Sequence, residues 1–129
     1  MRRIVFSIIV DNTFGVLSRV SGLFSRRGYN MDSLTVGETQ DPAISRMTVV
    51  ANGDDQILEQ IEKQLAKLED VREIIELTDK ESVCRELVLV KVAADIKERQ
   101  AIIAVADIFR AKIVDVAIDS LMVELTGNQ

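Results

Sequence analysis

The sequence contains no histidine and no tryptophan, and it has a single cysteine among its 129 residues. Histidine is the side chain most often used for proton transfer near neutral pH, and histidine and cysteine are the main ligands of zinc and copper. Their scarcity argues against acid–base catalysis and predicts no metal site in this chain. Because Cys84 has no second cysteine to pair with, we expect no internal disulfide and a cytoplasmic location.

Long apolar runs and a net positive charge are also missing. No segment approaches ~20 apolar residues and no basic-then-apolar leader is present, so we expect no membrane association. The net charge is −5, and the aromatic residues number four Phe and one Tyr. Nucleic-acid binders use positive charge and stacking rings, so a nucleic-acid partner is not expected. A hydrophobic content of 47% nevertheless indicates a globular protein with an aliphatic core.

The first part of the chain shows a regular order of strand and helix patterns. Apolar residues alternate along the first segment, and a helical spacing of apolar residues begins after Gly15. The resulting order is β-α-β-β-α-β, the split-βαβ or ferredoxin-like pattern. We therefore predict an α+β protein whose residues 1–78 form a complete ferredoxin-like domain. The predicted segments are 3–10, 15–27, 31–38, 44–51, 55–69 and 71–77.

The same plan begins again after a polar linker at 79–85. Residues 86–129 predict β-α-β-β with no further helix and strand. The helix, at about 97–110, is expected to bury Ile102, Ile103, Val105, Ala106 and Phe109. A missing fourth strand would leave an open edge on the strand at 87–93 and one sheet face half covered. We interpret this unit as an incomplete C-terminal ferredoxin-like domain, either a fragment of a longer chain or a unit completed by a partner.

The turn from the first strand into the first helix is the candidate binding site. Backbone N–H groups at a helix start are free and lie at the positive end of the helix, which suits a small anion. The Asn12 amide can donate and accept, and Gly15 lets a ligand approach the backbone. Asn30 lies beyond the far end of the helix, some ~18 Å away by helical rise. Asn12 and Asn30 could therefore share one ligand only between two subunits.

Each of these three residues also has a purely structural explanation. Asn12 or Thr13 can cap the helix, and Gly15 can adopt the backbone conformation that a tight turn requires. Asn30 can simply belong to the turn after a helix that ends at Gly28. The spacing alone does not decide between a binding site and ordinary turn chemistry.

Several stretches of the chain carry a family resemblance, namely 2–4, 11–36, 45–48, 58–68, 89–92 and 108–116. They resemble the regulatory (small) subunit of acetolactate synthase, also called acetohydroxyacid synthase. The resemblance implies an N-terminal ACT domain, a second ferredoxin-like domain that normally continues past Gln129, and a homodimer. It also implies that valine binds where two ACT domains meet, at Asn12, Gly15 and Asn30.

The resemblance further implies a non-catalytic regulatory role. Such a subunit associates with the catalytic subunit, raises its activity and makes it sensitive to feedback inhibition by valine in branched-chain amino-acid biosynthesis. Thiamine diphosphate, magnesium and FAD would belong to the catalytic partner, and this chain would carry no cofactor. Two alternatives stay open: an ACT-type module that serves dimerisation or senses isoleucine or leucine, and an acylphosphatase-like enzyme. The second would need an arginine in the turn, and residues 11–15 contain none.

Overall fold

The structure, a computed structural model, describes residues 2–128. The chain divides between residues 82 and 83 into two compact units. The first unit contains β1 (Arg2–Asp11), α1 (Val16–Arg27), β2 (Met31–Glu38), β3 (Ile44–Gly53), α2 (Asp55–Ala66) and β4 (Val71–Leu77). The second contains β5 (Glu86–Ala93), α3 (Arg99–Ile108), β6 (Lys112–Val116) and β7 (Ser120–Gly127). The predicted α+β class, and the βαββαβ and βαββ orders, are therefore confirmed.

The strand β1 lies in the middle of the first sheet. The strand order is β2-β3-β1-β4, and every neighbouring pair is antiparallel. β1 pairs with β3 along its whole length, from Arg2 opposite Gly53 to Asp11 opposite Ile44. On its other side it pairs with β4 between Val5 and Val10. The end of β1 is consequently held from both sides.

The core of the first unit lies between one face of this sheet and the two helices. Alternate residues of β1 point into it, and Phe6, Ile8 and Val10 are fully buried. The apolar stripes of α1 and α2 close the core from the other side, as amphipathic helices do. The helical members are Val16, Val20, Leu23, Phe24, Leu58, Ile61 and Leu65.

Local chemistry explains where the helices end. Gly28 takes a left-handed conformation (φ 68°) after α1, and its N–H donates to carbonyls of the last turn, so the predicted stop is confirmed. The Asp54 carboxylate caps α2 by accepting from the Ile57 N–H at 2.8 Å. α2 ends at Ala66 rather than at the predicted residue 69. The Lys67 and Leu68 N–H groups bond three residues back, which tightens the chain and ends the α-helix.

The second unit has a three-stranded antiparallel sheet in the order β5-β7-β6. Among the described strands, β5 pairs with β7 alone, so the predicted open edge is confirmed. The predicted burial along α3 is confirmed for Ala106, and Ile102 is half-buried. It is wrong for Ile103, Val105 and Phe109, which are 41%, 53% and 69% exposed. The apolar face of α3 borders an open cleft of about 390 Å³ instead of a closed core. Its lining includes Val90, Val92, Ile102 and Val123.

The packing of α2 gives a direct stability prediction. Ile61 is fully buried, so Ile61→Ala should lower the free energy of unfolding by about 2–5 kcal/mol through lost burial and a residual cavity. Glu62→Ala on the exposed side of the same helix should change it by less than about 0.5 kcal/mol. Urea unfolding followed by circular dichroism measures both values. Equal effects of the two substitutions would contradict the assignment of this helix face to the core.

Candidate functional site

Residues 12–15 connect β1 to α1, and neighbouring loops hold this turn on both sides. The Asp11 N–H donates to the Asp70 carbonyl at 2.8 Å, and the Asn12 N–H donates to the Ala43 carbonyl at 2.8 Å. These two acceptors precede β4 and β3, the two strands that flank β1. The turn is therefore fixed by the same arrangement that places β1 in the centre of the sheet.

Gly15 is the residue at which the turn becomes a helix. Its φ of 82° is left-handed, a conformation that residues with a side chain rarely adopt. A Cβ at this position would also lie 3.0 Å from Nη1 of Arg19. Gly15, not Asn12 or Thr13, occupies the N-cap position, and no side chain caps the helix. The predicted side-chain cap is therefore wrong, because the left-handed glycine starts the helix by itself.

The uncapped helix start leaves hydrogen-bond donors free. Among the hydrogen bonds of residues 2–128, the N–H groups of Leu17 and Ser18 have no acceptor, as expected for the first turn of a helix. No acidic side chain lies in that turn. Free N–H groups at a positive helix end favour binding of an anionic group such as a carboxylate.

Asn12 lies at the surface beside this helix start. Its side-chain nitrogen donates to the Pro42 carbonyl at 2.8 Å, and this bond fixes the orientation of the amide. Its side-chain oxygen receives no hydrogen bond from the described part of the chain. Asn12 and Gly15 are thus brought together on one turn.

Asn30 does not join them within one chain. It lies between the helix stop at Gly28 and the start of β2, and the 12 residues of α1 separate it from Gly15, a rise of ~18 Å. Its side-chain nitrogen donates to Oδ1 of Asp32 at 2.8 Å. The other carboxylate oxygen of Asp32 accepts from the side-chain nitrogen of Asn52.

Arg19 and Asp70 complete the turn, and neither was predicted from the sequence. Arg19 donates from Nε to Oδ2 of Asp70 at 2.5 Å and from Nη2 to the Phe14 carbonyl at 3.2 Å. The Thr13 hydroxyl donates to Oδ1 of Asp70 at 3.2 Å. The spacing of four between Gly15 and Arg19 could have signalled that the guanidinium reaches back over the helix start. No sequence signal pointed to Asp70, which is 51 residues from Arg19.

The Arg19–Asp70 pair also bears on the acylphosphatase alternative. The structure brings an arginine side chain to the turn even though residues 11–15 contain none. Its guanidinium is paired with the Asp70 carboxylate, however, and that negative charge would repel a phosphate group held at the same arginine. The hydrogen bond from Arg19 lowers the pKa of Asp70 against the opposing effect of desolvation, and Thr13 adds to the lowering. The same bond raises the pKa of Arg19.

Two apolar side chains flank the free N–H groups. Phe14 is fully exposed and Leu17 is 45% exposed, so neither packs into the core of the first unit. A small ligand with one anionic end and an apolar side chain would find both kinds of surface at this turn.

Neither a metal site nor a membrane-spanning helix is found among the described residues. Among residues 2–128, no three side chains of the His, Cys, Asp and Glu types lie together in a way that could hold a metal ion. Within the same residues, no helix combines the length and the apolar character needed to cross a bilayer.

Comparison with known families assigns both units. Residues 6–73 match the model described as "AHAS small subunit-like ACT domain", and residues 85–129 match "Small subunit of acetolactate synthase". The chain is 53% identical over 128 residues to the acetolactate synthase small subunit of Haemophilus influenzae, which covers 99% of this chain and 78% of that protein. It is 51% identical over 125 residues to a probable acetolactate synthase small subunit of Methanothermobacter thermautotrophicus, covering 96% and 74%.

Solved structures give the same assignment. The acetolactate synthase small subunit of Thermotoga maritima superimposes with a TM-score of 0.89 at 40% identity, over 100% of this chain and 81% of that chain. The ACT domain of GTP pyrophosphokinase from Chlorobium tepidum superimposes with a TM-score of 0.52 at 15% identity, over 60% of this chain and 88% of that one. The second likeness concerns the fold alone.

The Arg19–Asp70 pair gives a testable prediction. Arg19→Gln should raise the pKa of Asp70 toward its ordinary value of 3.8, because the substitution removes the guanidinium that stabilises the carboxylate. An NMR titration of the carboxyl carbons measures this pKa. Glu59 is the control: Lys63 lowers its pKa on α2, and that pKa should stay lowered in the variant. An Asp70 pKa that does not move would contradict the ion pair.

The sign of the pH effect follows from the same pair. A carboxyl group with a lowered pKa stabilises the folded state above its ordinary pKa, and this contribution is lost as the pH falls through the lowered value. Wild type should therefore lose this contribution below pH 3.8, while Arg19→Gln should lack it at neutral pH already.

Proposed function

Because this chain belongs to the acetolactate synthase small-subunit family, we propose that it regulates a separate catalytic subunit. It activates the thiamine-diphosphate-dependent subunit and makes it sensitive to feedback inhibition by valine. The similarity to small subunits along nearly the whole chain is the observation that carries this proposal. Thiamine diphosphate, magnesium and FAD belong to the catalytic subunit, and the chain itself catalyses no reaction. The complex operates in the cytoplasm.

The proposed effector site is built on the turn between β1 and α1. The free N–H groups at the start of α1 bind the carboxylate of valine, and Gly15 lets that carboxylate come close to the backbone. The Asn12 amide, held by Pro42, adds a polar contact. The apolar surface of Leu17 lies beside the isopropyl group.

A second subunit completes the site. Asn30 is too far along α1 to reach a ligand on Gly15 of its own chain. The β2 strand pairs with β3 on one side, and no described strand covers its other edge. A free strand edge can pair with a second copy, and in a two-fold dimer each partner would supply the same residues. We propose that Asn30 of one subunit thereby meets Asn12 and Gly15 of the other.

Binding across the dimer interface links the effector to regulation. A ligand shifts a conformational equilibrium only if it binds one arrangement better than another, and a ligand that contacts two subunits depends on their arrangement. Coupling free energies of about 1–3 kcal/mol are usual for allosteric proteins. Feedback inhibition therefore needs no catalytic group in this chain.

Calorimetric titration of the full chain with valine tests the site. Asn12→Ala should weaken valine binding about 10-fold, since a hydrogen bond contributes about 1 kcal/mol or more and 1.4 kcal/mol corresponds to a factor of ten. Gln56→Ala removes an exposed amide on α2 and should leave the affinity unchanged. Identical titrations of wild type and Asn12→Ala would reject the assigned site. Stronger binding of isoleucine or leucine would favour the alternative sensor role.

Co-purification with an acetolactate synthase catalytic subunit tests the function itself. The chain should raise the activity of that subunit, and valine should reverse the increase. With Asn12→Ala the activation should persist while the sensitivity to valine falls. A catalytic subunit whose activity is the same with and without this chain would contradict the regulatory role.

A further inference from the structure

The turn before α1 has a second conformation open to it, in which the helix begins two residues earlier, at Phe14. Thr13 is a common N-cap residue, and its hydroxyl oxygen could accept from the N–H groups in the first turn of that longer helix. Within the longer helix, the N–H groups of Leu17 and Ser18 would donate to the carbonyls four residues back. Neither N–H group would then be free.

Gly15 is the residue whose backbone differs between the two conformations. The longer helix requires a right-handed backbone at this position, whereas the structure has a φ of 82°, which is left-handed. A glycine enters both regions about equally readily, so its own preference does not select the shorter helix. Contacts from outside the turn must therefore hold the left-handed form.

Arg19 and Asp70 hold the two groups that the longer helix would use. The Thr13 hydroxyl donates to Oδ1 of Asp70 at 3.2 Å, so the potential cap is bound to the loop before β4. The Phe14 carbonyl, which would accept from Ser18 in the longer helix, accepts from Nη2 of Arg19 at 3.2 Å. Nε of Arg19 donates to Oδ2 of Asp70 at 2.5 Å and joins the two contacts.

Asp70 is itself fixed to the sheet, which lets it hold the turn. Its carbonyl accepts from the N–H of Asp11, the last residue of β1, at 2.8 Å. Its side chain is only 17% exposed, although it is charged. The carboxylate therefore has a defined position relative to β1, and the groups that it binds are held relative to the same strand.

We propose that Arg19 and Asp70 are positioning residues that keep α1 from extending back to Thr13. Without the pair, the longer helix forms and the N–H groups of Leu17 and Ser18 are bonded within it. Neither positioning residue touches a ligand in this role. The consequence for valine rests on the effector site proposed above, because the donors proposed for the valine carboxylate are occupied in the longer helix.

Amide hydrogen exchange of the full chain, measured by NMR without any ligand, tests the proposal. In wild type the Leu17 and Ser18 amides should exchange as free N–H groups do. Asp70→Ala removes the acceptor of both side chains and keeps the backbone carbonyl. It should slow exchange at the two amides about fivefold, since a side-chain cap of typical strength shifts a helix equilibrium by about this factor. Arg19→Gln exchanges two good helix formers and should act in the same direction.

Thr13→Val separates capping from a general loosening of the turn. The new side chain keeps the β-branched shape but has no hydroxyl, so the longer helix loses its cap. Asp70→Ala combined with Thr13→Val should therefore return the exchange of both amides to within about twofold of wild type. If Asp70 acted only through general stability, removal of a second contact would not restore the turn.

Arg72→Gln is the matched control. Arg72 is paired with Asp11 at the end of β1, but among the hydrogen bonds of residues 2–128 it donates neither to Thr13 nor to Phe14. The control removes an exposed ion pair beside the same turn without releasing the groups that extend the helix. Its amide exchange in α1 should equal that of wild type.

Calorimetry with valine on the same variants separates this inference from the effector site. Asp70→Ala should weaken valine binding about fivefold, because the binding conformation becomes the minor one, and the added Thr13→Val should restore it. Slowed exchange in Asp70→Ala, with no valine binding to wild type, would overturn the effector site and leave the positioning role standing. Exchange in Asp70→Ala and Arg19→Gln that equals wild type would overturn the positioning role.

Discussion

The double pairing of β1 is the constraint on which the first unit depends. A strand with neighbours on both sides can bury one complete face. On β1 the buried face carries Phe6, Ile8 and Val10, which lie in the core beneath the helices. The same pairing brings the loops before β3 and β4 to the end of β1, where Ala43 and Asp70 accept hydrogen bonds from the turn. The conformation of the candidate site is therefore a consequence of the sheet order, and a change in the register of β1 would displace both loops.

The sequence predicted the order of elements because each depends on local periodicity and turn chemistry. Gly28 and Asp54 are examples, since a left-handed stop and a carboxylate cap act within three or four residues of themselves. The start of α1 near residue 15 was predicted correctly, but its cap was not, because Asn12 and Thr13 are common capping residues whereas Gly15 occupies the N-cap position with no side-chain cap. Contacts between residues far apart in the sequence, such as Arg19 with Asp70, leave no periodic signal. They depend on which strands lie side by side in the sheet.

The second unit shows the limit of periodicity as a guide to burial. The apolar stripe of α3 predicts which residues can be buried, and the first unit shows what covers such a surface: Leu58, Ile61 and Leu65 of α2 lie in its core. Among the described residues of the second unit no second helix supplies such a layer, and the same kind of stripe leaves Phe109 69% exposed. A residue is buried only when a second surface covers the one it lies on, and the apolar pattern of a helix describes only the helix's own surface.

The sensor role proposed for this chain does not require histidine. Recognition of a zwitterion needs a donor surface and an acceptor surface but no group that exchanges protons near neutral pH. The helix start at Gly15 offers free donors, and α1 separates it from Asn30 within one chain. In the proposed site, one small molecule contacts both Gly15 and Asn30 only if two chains present these residues to each other. Under this proposal, the affinity for the effector depends on the arrangement of subunits, and by linkage the effector biases that arrangement.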